Sequence, residues 1–224
     1  MGIFQQFLPN FAMIIFFNFT SIMNDHTNNS PLLSLSDVSV GRGDFVLCQG
    51  VNLTLHAGDI CHLVGENGLG KTTLLNQIAG LLPLLSGQIN KAGRLVYVSH
   101  QLGISPDLTV AQNLRFLLSL YGMTVSDDTL DDALDAVGLW GLGDTSSSQL
   151  SAGQTRRVGL ARLFLLDVSH APIWLLDEPL TALDVAMVST LQQRMTDFAK
   201  DGGAILTTSH QAISGTNQQL DLTD

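Results

Sequence analysis

A glycine-rich segment in the first third of the chain has the residue types that bind a polyphosphate. Residues 65–72 read GENGLGKT and match the pattern G-x-x-x-x-G-K-[ST] in full. The glycines let consecutive backbone N–H groups turn inward around phosphate oxygens, Lys71 can reach the terminal phosphates, and the Thr72 hydroxyl can bind Mg²⁺. The residues predicted to contact the phosphates are Gly65, Glu66, Asn67, Gly68, Leu69, Gly70, Lys71, Thr72 and Thr73.

The segments on either side of this loop strengthen the prediction. Residues 60–64 form an apolar run typical of a buried strand, and residues 72–82 carry apolar residues at helical spacing. A helix that starts at the loop adds its dipole to the backbone N–H groups that face the anion.

Two loop residues are unusual. Glu66 brings a carboxylate near polyphosphate, which lowers affinity unless its side chain points to solvent, and Leu69 is bulky.

A carboxylate pair follows a second predicted strand. Residues 173–176 form a buried-strand run that ends in Asp177, Glu178 and Pro179. Carboxylates at the carboxyl end of a parallel strand face the crevice where ligands bind in open α/β sheets. Asp177 can then hold Mg²⁺, and Glu178 can accept a hydrogen bond from the water that attacks a γ-phosphate. Alone, the pair would be an ordinary turn; the upstream phosphate loop favours a site.

A third segment can bind an anion by itself. Residues 150–154 read LSAGQ and open a predicted helix, residues 155–165, with Ser151 and Gln154 in a capping-box pattern. Arg156, Arg157 and Arg162 add positive charge near this helix start. One nucleotide does not obviously need two helix N-termini from distant parts of one chain.

The elements that position these residues alternate between strand and helix patterns, which favours a largely parallel sheet with helices on its faces. Residues 33–40 and 45–55 alternate apolar and polar residues and predict an antiparallel edge. Residues 105–148 are different: Thr109 and Gln112 form a capping box ahead of one helix, and a second, acidic helix runs near residues 130–137.

Length and charge exclude several classes of protein. The chain has 224 residues, a mass of 24.0 kDa and a net charge of −10, with a pI near 4.7. One medium α/β domain fits this length. The negative field repels phosphate backbones, so we expect no nucleic-acid partner. Two cysteines, Cys48 and Cys61, are too few for a disulfide framework.

Residues 1–24 differ in composition from the remainder of the chain. They contain no Asp, Glu, Lys or Arg and six of the ten phenylalanines. The apolar run is interrupted by polar residues and is shorter than the roughly 20 residues that span a bilayer. Two interpretations stay open: the segment is a membrane-surface anchor, or translation starts at Met23 and the segment is not part of the native protein.

Taken together, these motifs resemble those of the ATP-binding subunits of ABC transporters. The LSAGQ string is similar to that family's signature motif, which caps the ATP held by the opposite subunit. The resemblance covers about residue 33 to the C-terminus and implies a P-loop α/β ATPase with a mainly parallel core sheet, an antiparallel β subdomain and a helical signature subdomain. It also implies ATP and Mg²⁺ as ligands, and two subunits, a homodimer or pseudo-dimer, stacked so that each phosphate loop faces Ser151, Gly153 and Gln154 of the other.

The resemblance assigns three further residues. Gln101 is similar to the Q-loop glutamine that senses Mg²⁺ and the membrane partner, Asp184 lies in a D-loop-like segment, residues 180–184, and His210 is similar to the switch histidine on the γ-phosphate. If the resemblance is set aside, Gln101 is interpreted as a loop amide, Asp184 as a helix cap and His210 as a histidine at a strand end. Asp184 can serve both as a helix cap and in the site. The other histidines, among them His62 and His100, are interpreted as structural.

The adenine-binding residue is the weakest part of the resemblance. The family commonly places an aromatic ring under adenine, and Phe45 is the candidate in this sequence. A phenylalanine packed in the core is an equally good interpretation.

Within the family, the extended signature, residues 150–163, and the segment 99–109 are similar to the ATPase of the haem exporter used in cytochrome c maturation. This implies a peripheral subunit on the cytoplasmic face of the inner membrane that drives haem export or haem-chaperone release through integral membrane permease subunits. The predicted ATPase domain covers residues 31–224, with a helical subdomain at about 103–160. The alternatives are an exporter of lipid, peptide or drug, and a soluble ABC-type scaffold ATPase.

Overall fold

The computed structural model describes residues 30–43 and 45–223. The strands are β1 (Leu33–Arg42), β2 (Phe45–Leu55), β3 (Ile60–Val64), β4 (Gln88–Lys91), β5 (Leu95–Val98), β6 (Ile173–Asp177), β7 (Ala204–Thr208) and β8 (Gln218–Asp221). The α-helices are α1 (Lys71–Ala79), α2 (Val110–Ser119), α3 (Asp127–Ala136), α4 (Ala152–Ala161) and α5 (Val185–Lys200). Both interpretations of residues 1–24 concern a segment outside the described residues.

Five strands form a parallel sheet in the order β5-β6-β7-β3-β8. The apolar runs predicted as strands at residues 60–64 and 173–176 both lie in it, which confirms the parallel core sheet. Because parallel strands point the same way, the residues that follow β3, β5, β6 and β7 meet at one edge of the sheet. This edge carries the phosphate loop and the carboxylate pair.

The central strands β6 and β7 of this sheet are buried on both faces. Ile173 and Leu175 of β6 belong to a core shared with α1 and the antiparallel strands. Their neighbours Trp174 and Leu176 belong to the opposite core, which α2 to α5 cover. A central strand packed on both faces reads as a continuous apolar run, and this is the pattern seen in the sequence.

The antiparallel prediction is confirmed and extended. β1 pairs with β2 from Leu33↔Leu55 to Arg42↔Phe45. β1 also pairs with β4, a strand of sequence QINK, so it is the central strand of a separate three-stranded sheet and not an edge. The fold is therefore α/β, with a parallel core sheet, an antiparallel sheet and a helical segment between β5 and β6.

The capping boxes were predicted correctly, whereas the bounds of two helices were not. The expectation that the helix after the phosphate loop runs to residue 82 is wrong, because Gly80 takes a left-handed backbone (φ 80°) and α1 ends at Ala79. Both capping boxes are confirmed, at Thr109 with Gln112 and at Ser151 with Gln154. α4 accordingly begins at Ala152, three residues earlier than the predicted segment.

No α-helix within residues 30–43 and 45–223 combines the length and the apolar character needed to cross a bilayer.

Candidate nucleotide site

The phosphate loop turns from β3 into α1 through three glycines with left-handed backbones. Gly65, Gly68 and Gly70 have φ values of 138°, 93° and 107°. At Gly70 a Cβ atom would also lie 2.9 Å from Val40 Cγ1 and 3.1 Å from Leu47 Cδ1, so a side chain has no room. The loop needs glycine at this position for both backbone shape and close approach.

Lys71 lies across its own loop. Its Nζ donates to the carbonyl oxygens of Gly65 (2.5 Å) and Glu66 (3.1 Å). The ammonium group therefore donates to two backbone oxygens. The oxygens of a bound phosphate can take their place as its hydrogen-bond acceptors. Glu66 itself is exposed, so its carboxylate is open to solvent.

Asp177 is the buried carboxylate at the end of β6. Thr72 Oγ1 donates to its Oδ2 (2.9 Å), and Thr208 Oγ1 donates to its Oδ1 (2.9 Å). The Thr72 and Asp177 oxygens are hard donors of the kind that Mg²⁺ prefers, and they lie side by side at the start of α1. The residues present therefore fit the predicted Mg²⁺ site.

Glu178 follows Asp177 and has a left-handed backbone (φ 54°), a conformation that costs on the order of 1–3 kcal/mol for a residue other than glycine. Its N–H donates to Thr208 Oγ1 (2.8 Å). Its carboxylate accepts a bond from Thr181 Oγ1 (3.3 Å) and lies 3.6 Å from His210 Nε2. The structure therefore brings Glu178 and His210 together, although 32 positions separate them in the sequence.

Gln101 lies in the exposed loop after β5. Its carbonyl accepts a bond from Ser99 Oγ, and within the described residues its side-chain amide makes no hydrogen bond. The neighbouring His100, which the sequence analysis interpreted as structural, lies at the site, with Nε2 3.8 Å from Asp177 Oδ2. The strand register explains this placement, because β5 pairs with β6 up to Val98↔Leu176 and the next residues of both strands extend to the same edge.

The signature segment caps the start of α4 with the capping box that the sequence predicted. Ser151 Oγ accepts the N–H of Gln154 (3.2 Å), and Gln154 Oε1 accepts the N–H of Ser151 (2.9 Å). A groove of about 450 Å³ lies at this helix start. It is lined by Gly138, Ser151, Gly153, Gln154, Arg157, Ala182 and Asp184.

Asp184 caps α5 and also reaches the signature helix. It accepts the N–H of Met187 (2.9 Å) and forms an ion pair with Arg157. The hydrogen bond from the Met187 N–H, followed by the charge of Arg157, lowers the pKa of Asp184. The predicted helix cap is confirmed, while a part for Asp184 in nucleotide binding stays a prediction.

Phe45 is not a core residue. It is 81% exposed at the start of β2, so the interpretation as a packed core phenylalanine is wrong. Leu47, two residues further along the strand, lies beside the phosphate loop, since a Cβ added at Gly70 would be 3.1 Å from Leu47 Cδ1. An aromatic ring on this rim is free to contact a base, and the adenine assignment stays a prediction.

Sequence reasoning did not assign positions in the site to Arg156 and Thr208. Arg156 is buried and donates from its guanidinium to the carbonyl of Glu178. Thr208 is buried at the last position of β7 and contacts both Asp177 and Glu178. The position of Thr208 at the carboxyl end of a predicted strand was a usable signal, whereas nothing in the sequence pattern distinguished Arg156 from its two neighbouring arginines.

Comparison with known proteins agrees with this geometry. The family profile described as ABC transporter matches residues 48–181. The chain is 39% identical over 201 residues to the cytochrome c biogenesis ATP-binding export protein CcmA of Vibrio cholerae serotype O1, covering 84% of this chain and 96% of that protein. The protein of the same name from Gluconobacter oxydans is 44% identical over 179 residues, 80% of this chain and 81% of the relative.

Solved structures share the fold. An ABC transporter ATP-binding protein from Pyrococcus furiosus superposes with a TM-score of 0.74 at 28% identity, covering 85% of this chain and 97% of that one. The dimeric ATP-binding cassette MJ0796, in a post-hydrolysis state with ADP and Pi, has a TM-score of 0.73 at 23% identity and coverages of 85% and 94%. A profile match over more than half of the chain, with relatives this similar along most of their length, leads to one conclusion: the chain belongs to the ABC transporter family and is one of its ATP-hydrolysing, ATP-binding cassettes.

Proposed function

We propose that this chain is the ATPase subunit of a membrane export complex for cytochrome c biogenesis, which drives haem export or the release of a haem chaperone. The relatives called cytochrome c biogenesis ATP-binding export protein support the process, since they are 38–44% identical over 80% or more of this chain. The haem cargo rests on the likeness of the extended signature and of residues 99–109 to that subfamily.

The observation that carries the proposal is the separation of two anion-binding helix starts. One is the phosphate loop at the start of α1, and the other is the groove at the start of α4, which is lined by residues of the signature and of the segment ending at Asp184. A nucleotide bound at the phosphate loop of one subunit has its binding site completed by the α4 groove of another subunit. The reaction centre therefore belongs to a pair of chains, a homodimer or a pseudo-dimer.

Each residue of the site has a proposed part in ATP hydrolysis. The loop N–H groups and Lys71 bind the phosphates, and Ser151, Gly153 and Gln154 of the second subunit cap them. Glu178 accepts a hydrogen bond from the attacking water and takes its proton, and His210 contacts the γ-phosphate. Thr72, Asp177 and Gln101 are the proposed holders of Mg²⁺, which supplies charge neutralisation on the phosphate oxygens when it is bound.

The proposed pair of chains can be tested by replacing the proposed base, Glu178. Glu178→Gln keeps the side-chain shape but cannot take a proton, so we expect ATP binding to persist, turnover to fall by about 10²-fold or more, and a dimer to accumulate with ATP. Hydrolysis is measured as phosphate release and dimer by size-exclusion chromatography with light scattering. Unchanged hydrolysis would refute the function given to Glu178, and a monomer under all conditions would refute the paired site.

The membrane partner is tested separately. We propose that the chain sits on the cytoplasmic face of the inner membrane and hands its motion to integral membrane permease subunits through the surface near Gln101. Purification of the tagged chain from native membranes in mild detergent should bring integral membrane subunits with it. Co-purification of soluble assembly proteins alone would instead support a scaffold ATPase.

The cargo is tested in the native organism. Deletion of the gene should abolish covalently bound haem in a peroxidase stain of membrane proteins, and the wild-type gene should restore it. The Glu178→Gln gene should not. Normal c-type cytochromes in the deletion strain would show that the complex exports another cargo.

A further inference from the structure

Arg156 is a buried arginine on the signature helix that the proposed chemistry does not use. It lies in α4, two residues after Gln154, and only 8% of its surface is exposed. One guanidinium nitrogen donates to the backbone carbonyl of Glu178. Its buried Nε has no hydrogen-bond partner within the part of the chain that the structure describes.

With this contact, both the N–H and the carbonyl of Glu178 have hydrogen-bond partners. The N–H of Glu178 is held by Thr208 Oγ1 at 2.8 Å, and its carbonyl is held by Arg156. The backbone between them is left-handed, with φ at 54°. Since an ordinary residue avoids this conformation, contacts at both ends are needed to keep it. The direction in which the Glu178 side chain leaves the backbone is therefore set by Thr208 and Arg156.

Packing alone does not explain an arginine at this position. Burial lowers the pKa of Arg156, and the negative charges of Glu178 and Asp177 oppose this effect. A guanidinium removed from water with an incomplete set of partners is a weak source of stability, and an apolar side chain of similar size often does as well or better. The presence of a charged side chain here is therefore better explained by its contact with the carbonyl of Glu178, the proposed base.

The next residue of the helix holds the other end of the same segment. Arg157 pairs with Asp184, and its second nitrogen donates to the carbonyl of Val137 (3.3 Å). Residues 178–184 are thus attached to α4 at two points of the same chain. A rigid-body shift of α4 would be transmitted to Glu178 through these contacts.

We propose that Arg156 is a positioning residue that couples the signature helix to Glu178 within one chain. The inference rests on the proposed function, because the signature helix would bind the ATP of one composite site while Glu178 serves the other. Arg156 then lets the nucleotide engaged by α4 at one site set the orientation of the base at the second site.

The test compares two buried arginines of the same helical segment. Arg156→Met should lower kcat by about 10²-fold, since a misplacement of about 1 Å can have this effect, while the dissociation constant for a fluorescent ATP analogue changes less than about threefold. Arg156→Lys keeps a charged donor. The decrease in log kcat that it causes should be smaller than that of Arg156→Met by at least about a third. Arg162 is the matched control, because it is also buried, its Nε likewise has no hydrogen-bond partner among the residues that the structure describes, and it donates to the carbonyl of Tyr97 (2.9 Å).

Arg162 caps the C-terminal end of α4, so the expectation that its charge lies near the helix start is wrong. Arg162→Met should lower thermal stability but leave kcat per folded molecule within about twofold, since Arg162 bonds the backbone carbonyl of Tyr97 and not a peptide group of Glu178. Equal losses of kcat in Arg156→Met and Arg162→Met would overturn the proposal, as would a kcat unchanged by Arg156→Met. If Arg156→Met does not fold, Arg156→Gln, which keeps a neutral donor, is measured against Arg162→Gln with the same criteria.

A second measurement separates this proposal from the proposed function. In a Glu178→Gln background, Arg156→Met should still form the ATP-dependent dimer, because the contact acts through Glu178 and not through the partner's nucleotide. If Glu178→Gln alone forms the dimer and the double variant does not, Arg156 acts on the partner's nucleotide and the coupling proposal is wrong. If Glu178→Gln alone forms no dimer, the proposed paired site fails, and the kcat comparison of the two arginines still decides whether Arg156 positions Glu178.

Discussion

Two neighbouring carboxylates at the end of β6 have different surroundings, and we assign them different functions on this basis. The Asp177 side chain is 2% exposed and accepts one hydroxyl donor on each oxygen. The Glu178 side chain is 12% exposed, with a longer contact to Thr181 and His210 nearby. A carboxylate fixed on both oxygens suits the binding of a cation, whereas one with weaker contacts can accept a hydrogen bond from water.

Lys71 should control nucleotide binding itself. Lys71→Ala removes the ammonium that now donates to the Gly65 and Glu66 carbonyls, and with it the charge offered to the phosphates. We expect the dissociation constant for ATP to rise by at least about tenfold, because a charged contact of this kind contributes about 1.5–3 kcal/mol. Lys200→Ala, at the exposed end of α5, is the control. Calorimetric affinities that are equal for the two variants would contradict the assignment.

Thr208 should matter for turnover more than for binding. Thr208→Val keeps the shape but leaves the Glu178 N–H and Asp177 Oδ1 without their partner, which costs about 1–3 kcal/mol. We expect kcat to fall by at least about tenfold and Thr208→Ser to recover most of it. Thr207→Val removes a buried hydroxyl whose one hydrogen bond within residues 30–43 and 45–223 is to the carbonyl of Thr208. A similar loss of kcat there would rule out a specific function for Thr208.

At the scale of elements, the starts of α1 and α4 are the proposed anion-binding positions. α1 begins at the phosphate loop with a glycine at the N-cap, which leaves its N–H groups without a side-chain partner. α4 and α2 begin with the same capping box, although α4 is the helix with the signature sequence. A capping box stabilises a helix wherever it occurs, so the box by itself does not indicate an anion site.

The two capping boxes allow structure and function to be separated. Ser151→Ala and Thr109→Ala each remove one cap and should lower the free energy of unfolding by about 1 kcal/mol. Under the paired-site proposal, Ser151→Ala should also weaken the ATP-dependent dimer in the Glu178→Gln background, whereas Thr109→Ala should not. Urea denaturation gives the stabilities and light scattering gives the dimer fraction. Equal dimer fractions would argue against a nucleotide contact by Ser151.

Sequence patterns identified the buried strands but missed two short ones. β4 has the sequence QINK and β8 has the sequence QQLD, and each is four residues long and partly exposed. Neither has an apolar run or a regular alternation. They are strands because β1 and β3 offer them free hydrogen-bonding edges, so their conformation depends on neighbours that are distant in the sequence.

For the whole molecule, the distribution of functional residues decides whether one chain suffices. The phosphate loop, Asp177, Glu178 and His210 meet at one edge of the parallel sheet, while Ser151 and Gly153 line a separate groove on the helical side. Gly153 is open to substitution in the single chain, because a Cβ there would meet Ala182 O at an ordinary 3.6 Å. A loss of activity on substitution would thus reflect a contact beyond this chain.

Mixing two inactive variants tests this arrangement. Lys71→Ala disables the phosphate loop, and Gly153→Asp places a carboxylate where the partner's phosphate should bind. In a mixed dimer one composite site carries both defects and the other carries none. An equimolar mixture should therefore recover about a quarter of wild-type turnover, because half of the dimers are mixed and each has one intact site. Turnover no higher than that of the separate variants would contradict a site built from two chains.

The sequence by itself determined the local chemistry of this protein. The phosphate loop, the strand-end carboxylates and both capping boxes depend on residues within about ten positions of one another, and the conformations of such short segments follow from glycine placement, apolar periodicity and cap residues. The fold class and the family followed from the order of these motifs.

Only the tertiary structure decided which distant backbone groups meet. Arg156 reaches Glu178 across 22 positions, and Thr208 reaches Asp177 across 31. These contacts depend on the register of β6 against β7 and on the packing of α4 over the sheet edge. A shift of one residue in the register would move Thr208 to the other face of the sheet, and no local sequence pattern specifies that alignment.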